Sequence, residues 1–125
     1  MSRQEWYNIK KSYEIFLDIK KTPSLEKMPW LVDQIIESKY VDIFFPSMSL
    51  SCLHINLSGD WRDSGKLPKI TVDPKWNWVT FHYCHFNKPK SDTFFDEFKV
   101  MVDQIYQVRE TLFGLLERLE KCLIL

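Results

Sequence analysis

The C-terminal third of the chain carries a regular repeat of apolar positions. These are Phe94, Phe98, Met101, Ile105, Val108, Leu112, Leu115, Leu119 and Cys122. Their spacing alternates between four and three residues, the 3.5-residue period of a helix with one continuous apolar stripe. The pattern predicts a single helix over 94–122, about 45 Å long at 1.5 Å per residue.

A second apolar line runs beside this stripe and changes its interpretation. Its members are Phe95, Val102, Tyr106, Phe113, Leu116 and Leu123. A helix that is apolar over so wide an arc is typical of one packed across a sheet, rather than of a two-stranded coiled coil. The alternative is a homodimer through the end of this C-terminal helix near Leu123, because exposed apolar patches are seldom left uncovered.

The N-terminal pattern predicts a helical hairpin. From Glu5 to Lys21 the apolar residues fall at helical spacing: Trp6, Ile9, Tyr13, Phe16 and Leu17. Thr22 and Pro23 are expected to end this helix. Pro29 suits the first turn of a second helix, which we expect to run to about Ser38.

The middle of the chain changes to the period of strands. Four runs are predicted to be strands, namely 41–45, 50–58, 69–72 and 76–86. Pro46 is expected to close the first run, and Asp73-Pro74 to begin a type I turn before the last. The order α-α-β-β-β-β-α predicts one α+β domain over 1–125. It consists of an N-terminal helical hairpin, an antiparallel sheet of about four strands, and a long C-terminal helix packed on the sheet.

Composition excludes several classes of function. The 125 residues contain 17 Lys and Arg against 17 Asp and Glu, so no net field steers the chain to nucleic acid or to anionic lipid. Only three glycines occur, and no phosphate-binding loop is found. We expect no membrane span and no signal peptide. Cys52, Cys84 and Cys122 lie in apolar runs, which indicates reduced thiols in a cytoplasmic protein.

One strand carries the residues best suited to catalysis or metal binding. In the run 76–86, His82 and Cys84 share a face, and a neighbouring strand could bring Cys52 and His54 beside them. Two imidazoles and two thiols are zinc ligands in number and type. Alternate strand positions match zinc-site spacing poorly, so core cysteines and hydrogen-bonded sheet histidines are the favoured interpretation. We therefore expect no metal and no cofactor; the alternative is a metal- or Cys/His-dependent enzyme using His54, His82 and Cys84.

The polar run 59–66 contains one large aromatic residue, Trp61, between Asp60 and Asp63. The favoured interpretation is a solvated loop with turn-forming Asp side chains, and a carboxylate pair for acid/base chemistry or cation binding is one alternative. The other is contact with a partner, because an aromatic anchor ringed by charges is typical of a protein-binding hot spot. The candidate partner-binding residues are Asp60, Trp61, Asp63, Asp73 and Trp76.

Three stretches of the chain together resemble a known protein family. The resemblance lies in Trp6 on the first helix, in Leu53-His-Ile-Asn-Leu57, and in the block from Lys69 to Tyr83 that precedes the terminal helix. These features are similar to the immunity proteins of polymorphic-toxin and contact-dependent growth-inhibition systems, in particular the TriTu type. The resemblance implies a cytoplasmic inhibitor without catalytic activity. Such a protein binds a cognate toxin domain, often a nuclease, and blocks its active site or substrate path.

Overall fold

The computed structural model describes residues 2–60, 62, 67–84 and 95–123. Within these ranges the chain forms three α-helices and a five-stranded sheet. In chain order the elements are α1 (Ser2–Ile19), α2 (Pro23–Ile36), β1 (Phe45–Ser49), β2 (Cys52–Asn56), β3 (Lys69–Pro74), β4 (Trp78–Cys84), β5 (Phe95–Met101) and α3 (Ile105–Glu120). The predicted α+β class is confirmed, with N-terminal helices, an antiparallel sheet and a C-terminal helix packed on it.

The sheet is a simple antiparallel meander whose strands follow one another in sequence order. The helices contribute the other half of a single hydrophobic core, with α1 packed near β1 and α3 across β3, β4 and β5. The sheet residues buried in that core are Leu53, Ile55, Ile70, Val72, Val79, Phe81, Tyr83 and Val100. They alternate along their strands, as expected for a sheet with one covered face.

The opposite face of the sheet is lined by polar side chains, and we call it the polar face. Most of its residues are polar, namely Ser47, Ser49, Cys52, His54, Asn56, Lys69, Thr71, Asp73, Thr80, His82, Glu97 and Lys99. Phe45, Trp78, Cys84 and Met101 lie on it as well. The strand period of the run 50–58 predicts Leu53 and Ile55 on one face of β2 and Cys52 and His54 on the other, and the structure confirms this division.

The predicted helix over 94–122 is wrong in its first half, because Phe95–Met101 is strand β5. This strand pairs with β4 along its whole length, placing Val100 opposite Val79 and Phe98 opposite Phe81 on the core side. Helix α3 begins only at Ile105 and has 16 residues, about 24 Å at 1.5 Å per residue. Without β5, the outer main-chain groups of β4 would lack strand partners, and long-range pairing therefore overrides the local apolar period.

The second helix also begins earlier than predicted. Thr22 is its N-cap, because the hydroxyl oxygen of Thr22 accepts a hydrogen bond of 3.2 Å from the N–H of Leu25. Pro23 then occupies the first turn, where its missing N–H costs nothing. Pro29 lies inside α2 rather than at its start, and the helix ends at Ile36 rather than Ser38.

The first strand is displaced along the chain from its prediction. Lys39–Asp42 is a 3-10 helix, and the strand runs over Phe45–Ser49 with Pro46 inside it. Strand β1 pairs only with β2. An edge strand accepts a proline because one side of its main chain needs no ladder hydrogen bond.

The predicted hairpin between the third and fourth strands is present, but its turn lies later in the chain. Asp73 and Pro74 belong to β3. The chain reverses at Trp76 and Asn77, where the N–H of Lys75 donates to the carbonyl of Trp78 at 2.9 Å. The turn therefore carries Trp76 at its tip.

Candidate functional site

A cleft lies at the end of the sheet where two hairpins turn and α1 finishes. The β1–β2 and β3–β4 turns lie at the same end because the strands form a meander. The cleft has a volume of about 420 Å³ and is lined by Phe16, Lys20, Thr22, Leu25, Leu50, Ser51, Pro74, Lys75, Trp76 and Trp78. We call this group the hairpin-end cleft. It is concave and has large apolar side chains at its rim, which suits it to recognising another molecule.

The turn that carries Trp76 is held by hydrogen bonds from two other parts of the chain. The N–H of Ser24 donates to the carbonyl of Trp76 at 3.1 Å, and the Ser24 hydroxyl donates to the carbonyl of Lys75. On the other side, the N–H of Val102 donates to the carbonyl of Asn77 at 3.0 Å. The Trp76 side chain is nevertheless 63% exposed. The fold thus presents a large aromatic ring to solvent on a rigid support.

Leu50, at the tip of the other hairpin, has an unfavourable backbone conformation. Its φ is +55° and its side chain is 91% exposed. A left-handed conformation costs an ordinary L-residue about 1–2 kcal/mol, and glycine or asparagine is the usual choice. Helix α1 also holds this turn in place, because the Tyr13 hydroxyl donates to the carbonyl of Ser51 at 2.8 Å. The strained backbone at Leu50 therefore carries an apolar side chain that is exposed to solvent and adds little to the fold.

The cleft is bordered by positive charge. Lys20 and Lys75 both line it. The Lys75 ammonium lies 2.8 Å from an Asp73 carboxylate oxygen, and this contact raises the pKa of Lys75. Near Trp78, the Lys99 ammonium lies 4.2 Å from the centre of the indole ring, a cation–π geometry. The cleft therefore has apolar walls, with Lys20 and the Lys75–Asp73 ion pair at its edge.

The structure places the predicted partner-binding residues in two regions. Trp76 lines the cleft, and Asp73 binds the cleft residue Lys75 from β3. Asp60 follows β2, near the other end of the sheet, where its carboxylate accepts a hydrogen bond of 2.8 Å from Arg62. That bond lowers the pKa of Asp60. Trp61 and Asp63 lie outside the described residues.

Sequence reasoning missed most of the cleft. The local apolar spacing predicts that Phe16 lies in a helical stripe and Leu50 in a strand, and neither prediction indicates a cleft. Only the combination of an apolar residue with a positive φ distinguishes Leu50, and local sequence contains no direct signal for φ. A short polar interruption, Ser49 and Ser51 around Leu50, was the available hint of a turn.

The histidines of the polar face do not form the cluster that the enzyme hypothesis requires. Strand β3 lies between β2 and β4, so His54 faces Thr71, with 2.9 Å between His54 Nδ1 and Thr71 Oγ1. The other ring nitrogen of His54 lies 2.7 Å from the Ser49 hydroxyl. His82 instead lies 2.9 Å from a carboxylate oxygen of Glu97. The possibility that a neighbouring strand brings His54 beside His82 is therefore excluded, because β3 lies between their strands.

Burial raises the pKa of two cysteines on the polar face. Desolvation, reinforced by Asp73, raises the pKa of Cys52 to about 11, and burial also raises the pKa of Cys84. A raised pKa disfavours the thiolate, which is the reactive form of cysteine. Across residues 2–60, 62, 67–84 and 95–123, no three His, Cys, Asp or Glu side chains are grouped as a metal site.

Comparison with known proteins adds no assignment for the site. No family model, curated protein or solved structure matches this chain at a significant level. In the described part of the chain, no helix is both long enough and apolar enough to cross a membrane. The interpretation of the cleft therefore depends on its own geometry and on the resemblance stated above.

Proposed function

We propose that this protein is a cytoplasmic immunity protein that binds a cognate toxin domain and neutralises it by covering its active site or substrate path. The observation that carries the proposal is Trp76, a largely exposed aromatic side chain on a turn held by hydrogen bonds from Ser24 and Val102. The resemblance to immunity proteins supplies the class of partner, and the hairpin-end cleft supplies the surface.

The geometry suits tight binding by a small protein. Aromatic anchors at the centre of an interface commonly contribute most of its binding energy. Because the main chain around Trp76 is already fixed, the protein loses little conformational freedom on binding. Leu50 adds a second exposed apolar contact on a turn that Tyr13 holds in place.

Charge indicates the chemistry of the toxin surface. Lys20 and Lys75 line an otherwise largely apolar cleft. Because Lys75 is paired with Asp73, a complementary surface presents an apolar side chain for the cleft and a carboxylate for Lys20, since opposite potentials favour encounter and correct orientation. We therefore expect the docked part of the toxin to be apolar and acidic.

The test uses the protein encoded by the adjacent open reading frame as the candidate toxin. We expect the two proteins to co-purify and the immunity protein to restore growth of cells that express the toxin domain. Trp76→Ala should weaken binding about 30-fold, the change expected from losing a hot-spot residue worth about 2 kcal/mol. Calorimetry with the purified pair measures this change.

A matched control is Tyr106→Ala, which removes a 71% exposed aromatic side chain from α3. It should leave both affinity and protection unchanged. Failure of the wild-type protein to bind the neighbouring protein and to protect cells from it would overturn the proposed function. Equal loss in the two variants would show that the cleft is not the binding surface.

A further inference from the structure

The outer strand β5 has an unpaired edge in the described part of the chain. It pairs with β4 on one side and is the last strand of the sheet on the other. Phe98, at its centre, remains 40% exposed although it lies on the core side of the sheet. An open edge with an exposed aromatic residue is a template for pairing with another strand.

The hydrogen bonds of this region show which main-chain groups point outward. The N–H of Val102 donates to the carbonyl of Asn77, toward β4. The β4–β5 register is continuous from Phe95 to Met101, and in an antiparallel ladder these groups alternate in direction from one residue to the next. The N–H and C=O groups of Glu97 and Lys99 therefore point away from β4.

The side chains at this edge are complementary under two-fold symmetry. If a second copy pairs antiparallel with β5 about Phe98, Glu97 of each chain lies directly opposite Lys99 of the other. Moving the two-fold axis by one residue removes this match. An axis at Glu97 places the two Glu97 residues opposite each other, and an axis at Lys99 places the two Lys99 residues opposite each other. Like charges directly opposite one another are unfavourable and opposite charges are favourable. The charge pattern thus selects one symmetric register.

We propose that this protein forms a two-fold dimer in which the β5 strands of two copies pair about Phe98 and extend the sheet to both subunits. Glu97 and Lys99 exchange main-chain hydrogen bonds with their counterparts, and the two Phe98 residues form the intervening non-hydrogen-bonded pair. Side chains approach most closely at such a pair, which allows the two rings to cover each other on the core side.

Contacts within each chain already orient the charged residues. A Glu97 carboxylate oxygen lies 2.9 Å from His82, and the Lys99 ammonium lies over the Trp78 ring. Both side chains are on the polar face, away from the aromatic pair. The second copy is therefore recognised by its matched charges on one face and by Phe98 on the other. This surface is distinct from the hairpin-end cleft.

Sedimentation equilibrium over a range of concentrations tests the dimer with the full chain. We expect the wild-type protein to dimerise, and Glu97→Lys or Lys99→Glu alone to weaken dimerisation about tenfold by opposing like charges at both symmetric positions. The double variant Glu97→Lys/Lys99→Glu should restore it, because every opposed pair again has opposite signs. Circular dichroism verifies that each variant is folded.

Trp76→Ala is the control that separates this proposal from the toxin-binding one, and it should leave dimerisation unchanged. A wild-type protein that stays monomeric at several hundred micromolar would overturn the inference. So would a folded double variant that dimerises no better than the single variants. Failure of the wild-type protein to bind the neighbouring protein, with the dimer intact, would count against the proposed function alone.

Discussion

Two residues, Trp76 and Leu50, supply large exposed apolar side chains to the hairpin-end cleft. Trp76 is exposed although its main chain is firmly held, and Leu50 is exposed although its φ of +55° disfavours a leucine. Selection for stability alone would place a glycine or asparagine at position 50. Neither side chain contributes much to the buried core.

Replacing Leu50 should therefore stabilise the protein. We expect Leu50→Asn to raise the free energy of unfolding by about 0.5–1 kcal/mol, because asparagine tolerates the left-handed conformation. Urea denaturation measures the change. Leu50→Ala is the control, since it removes the side chain but retains the backbone penalty and should leave stability nearly unchanged. If Leu50→Ala raised the free energy of unfolding as much as Leu50→Asn, backbone strain at position 50 would not be the source of the gain in stability.

His54 gives a prediction about pH. Desolvation, with a smaller effect of Lys69, lowers the pKa of His54 below its ordinary value of 6.5. The unfolded state therefore binds a proton first as pH falls, so the stability contributed by neutral His54 is complete above about pH 6.5. That contribution decreases from there down to the lower folded pKa.

Urea denaturation at pH 7.5 and pH 5.5 checks this sign. We expect the wild-type protein to lose more stability between the two values than His54→Gln, whose amide can still bond to the neighbouring Ser49 and Thr71 hydroxyls. An equal loss in both proteins would assign the pH dependence to other groups.

At the scale of elements, capping residues determine where α2 begins. Thr22 accepts from the N–H of Leu25 and is buried, and Pro23 follows in the first turn. Thr22→Ala should lower the free energy of unfolding by about 1 kcal/mol, the usual effect of losing such a cap. Thr22→Ser keeps the hydroxyl and should lose much less. The comparison uses urea denaturation followed by circular dichroism, and equal losses would contradict a capping role.

The element that sequence reasoning misassigned shows the limit of local pattern. Phe98 and Met101 fit a helical heptad, yet the same stretch forms β5 because it can pair with β4 over seven positions. Phe98 and Met101 lie on opposite faces of β5, but seven residues are too few for the period alone to separate a strand from a helix. The later part of the heptad, from Val108 to Leu119, was correctly predicted as helix.

At the scale of the whole molecule, α1 is joined to the sheet through buried polar contacts as well as apolar packing. The Trp6 side chain is completely buried, and its indole N–H donates to the carbonyl of Phe44 at 3.0 Å. Tyr13 lies further along the same helix, and its hydroxyl donates to the carbonyl of Ser51 in the β1–β2 turn. The helix, the sheet and the cleft therefore share one core, and we expect them to unfold together.

Trp6→Phe tests this coupling. The substitution leaves the Phe44 carbonyl without its donor and creates a small cavity, so we expect a loss of about 2–3 kcal/mol. Unfolding followed by fluorescence and by circular dichroism should shift together. Tyr7→Phe, on the exposed side of the same helix, should change stability little. Separate transitions for the two probes would show that α1 unfolds independently of the sheet.

The sequence by itself determined the fold class, the stripe of α1, the two faces of β2 and β4, and the stripe of α3. These features follow from local backbone geometry, which sets the spacing at which side chains share a face. Only the tertiary structure decided that Phe95–Met101 is a strand, and that β3 separates His54 from His82. It also brought Phe16, Leu50 and Trp76 to one cleft. Strand pairing and the proximity of distant turns are decided when the whole chain satisfies its main-chain hydrogen bonds and covers its core at the same time. A local window of sequence does not contain that information.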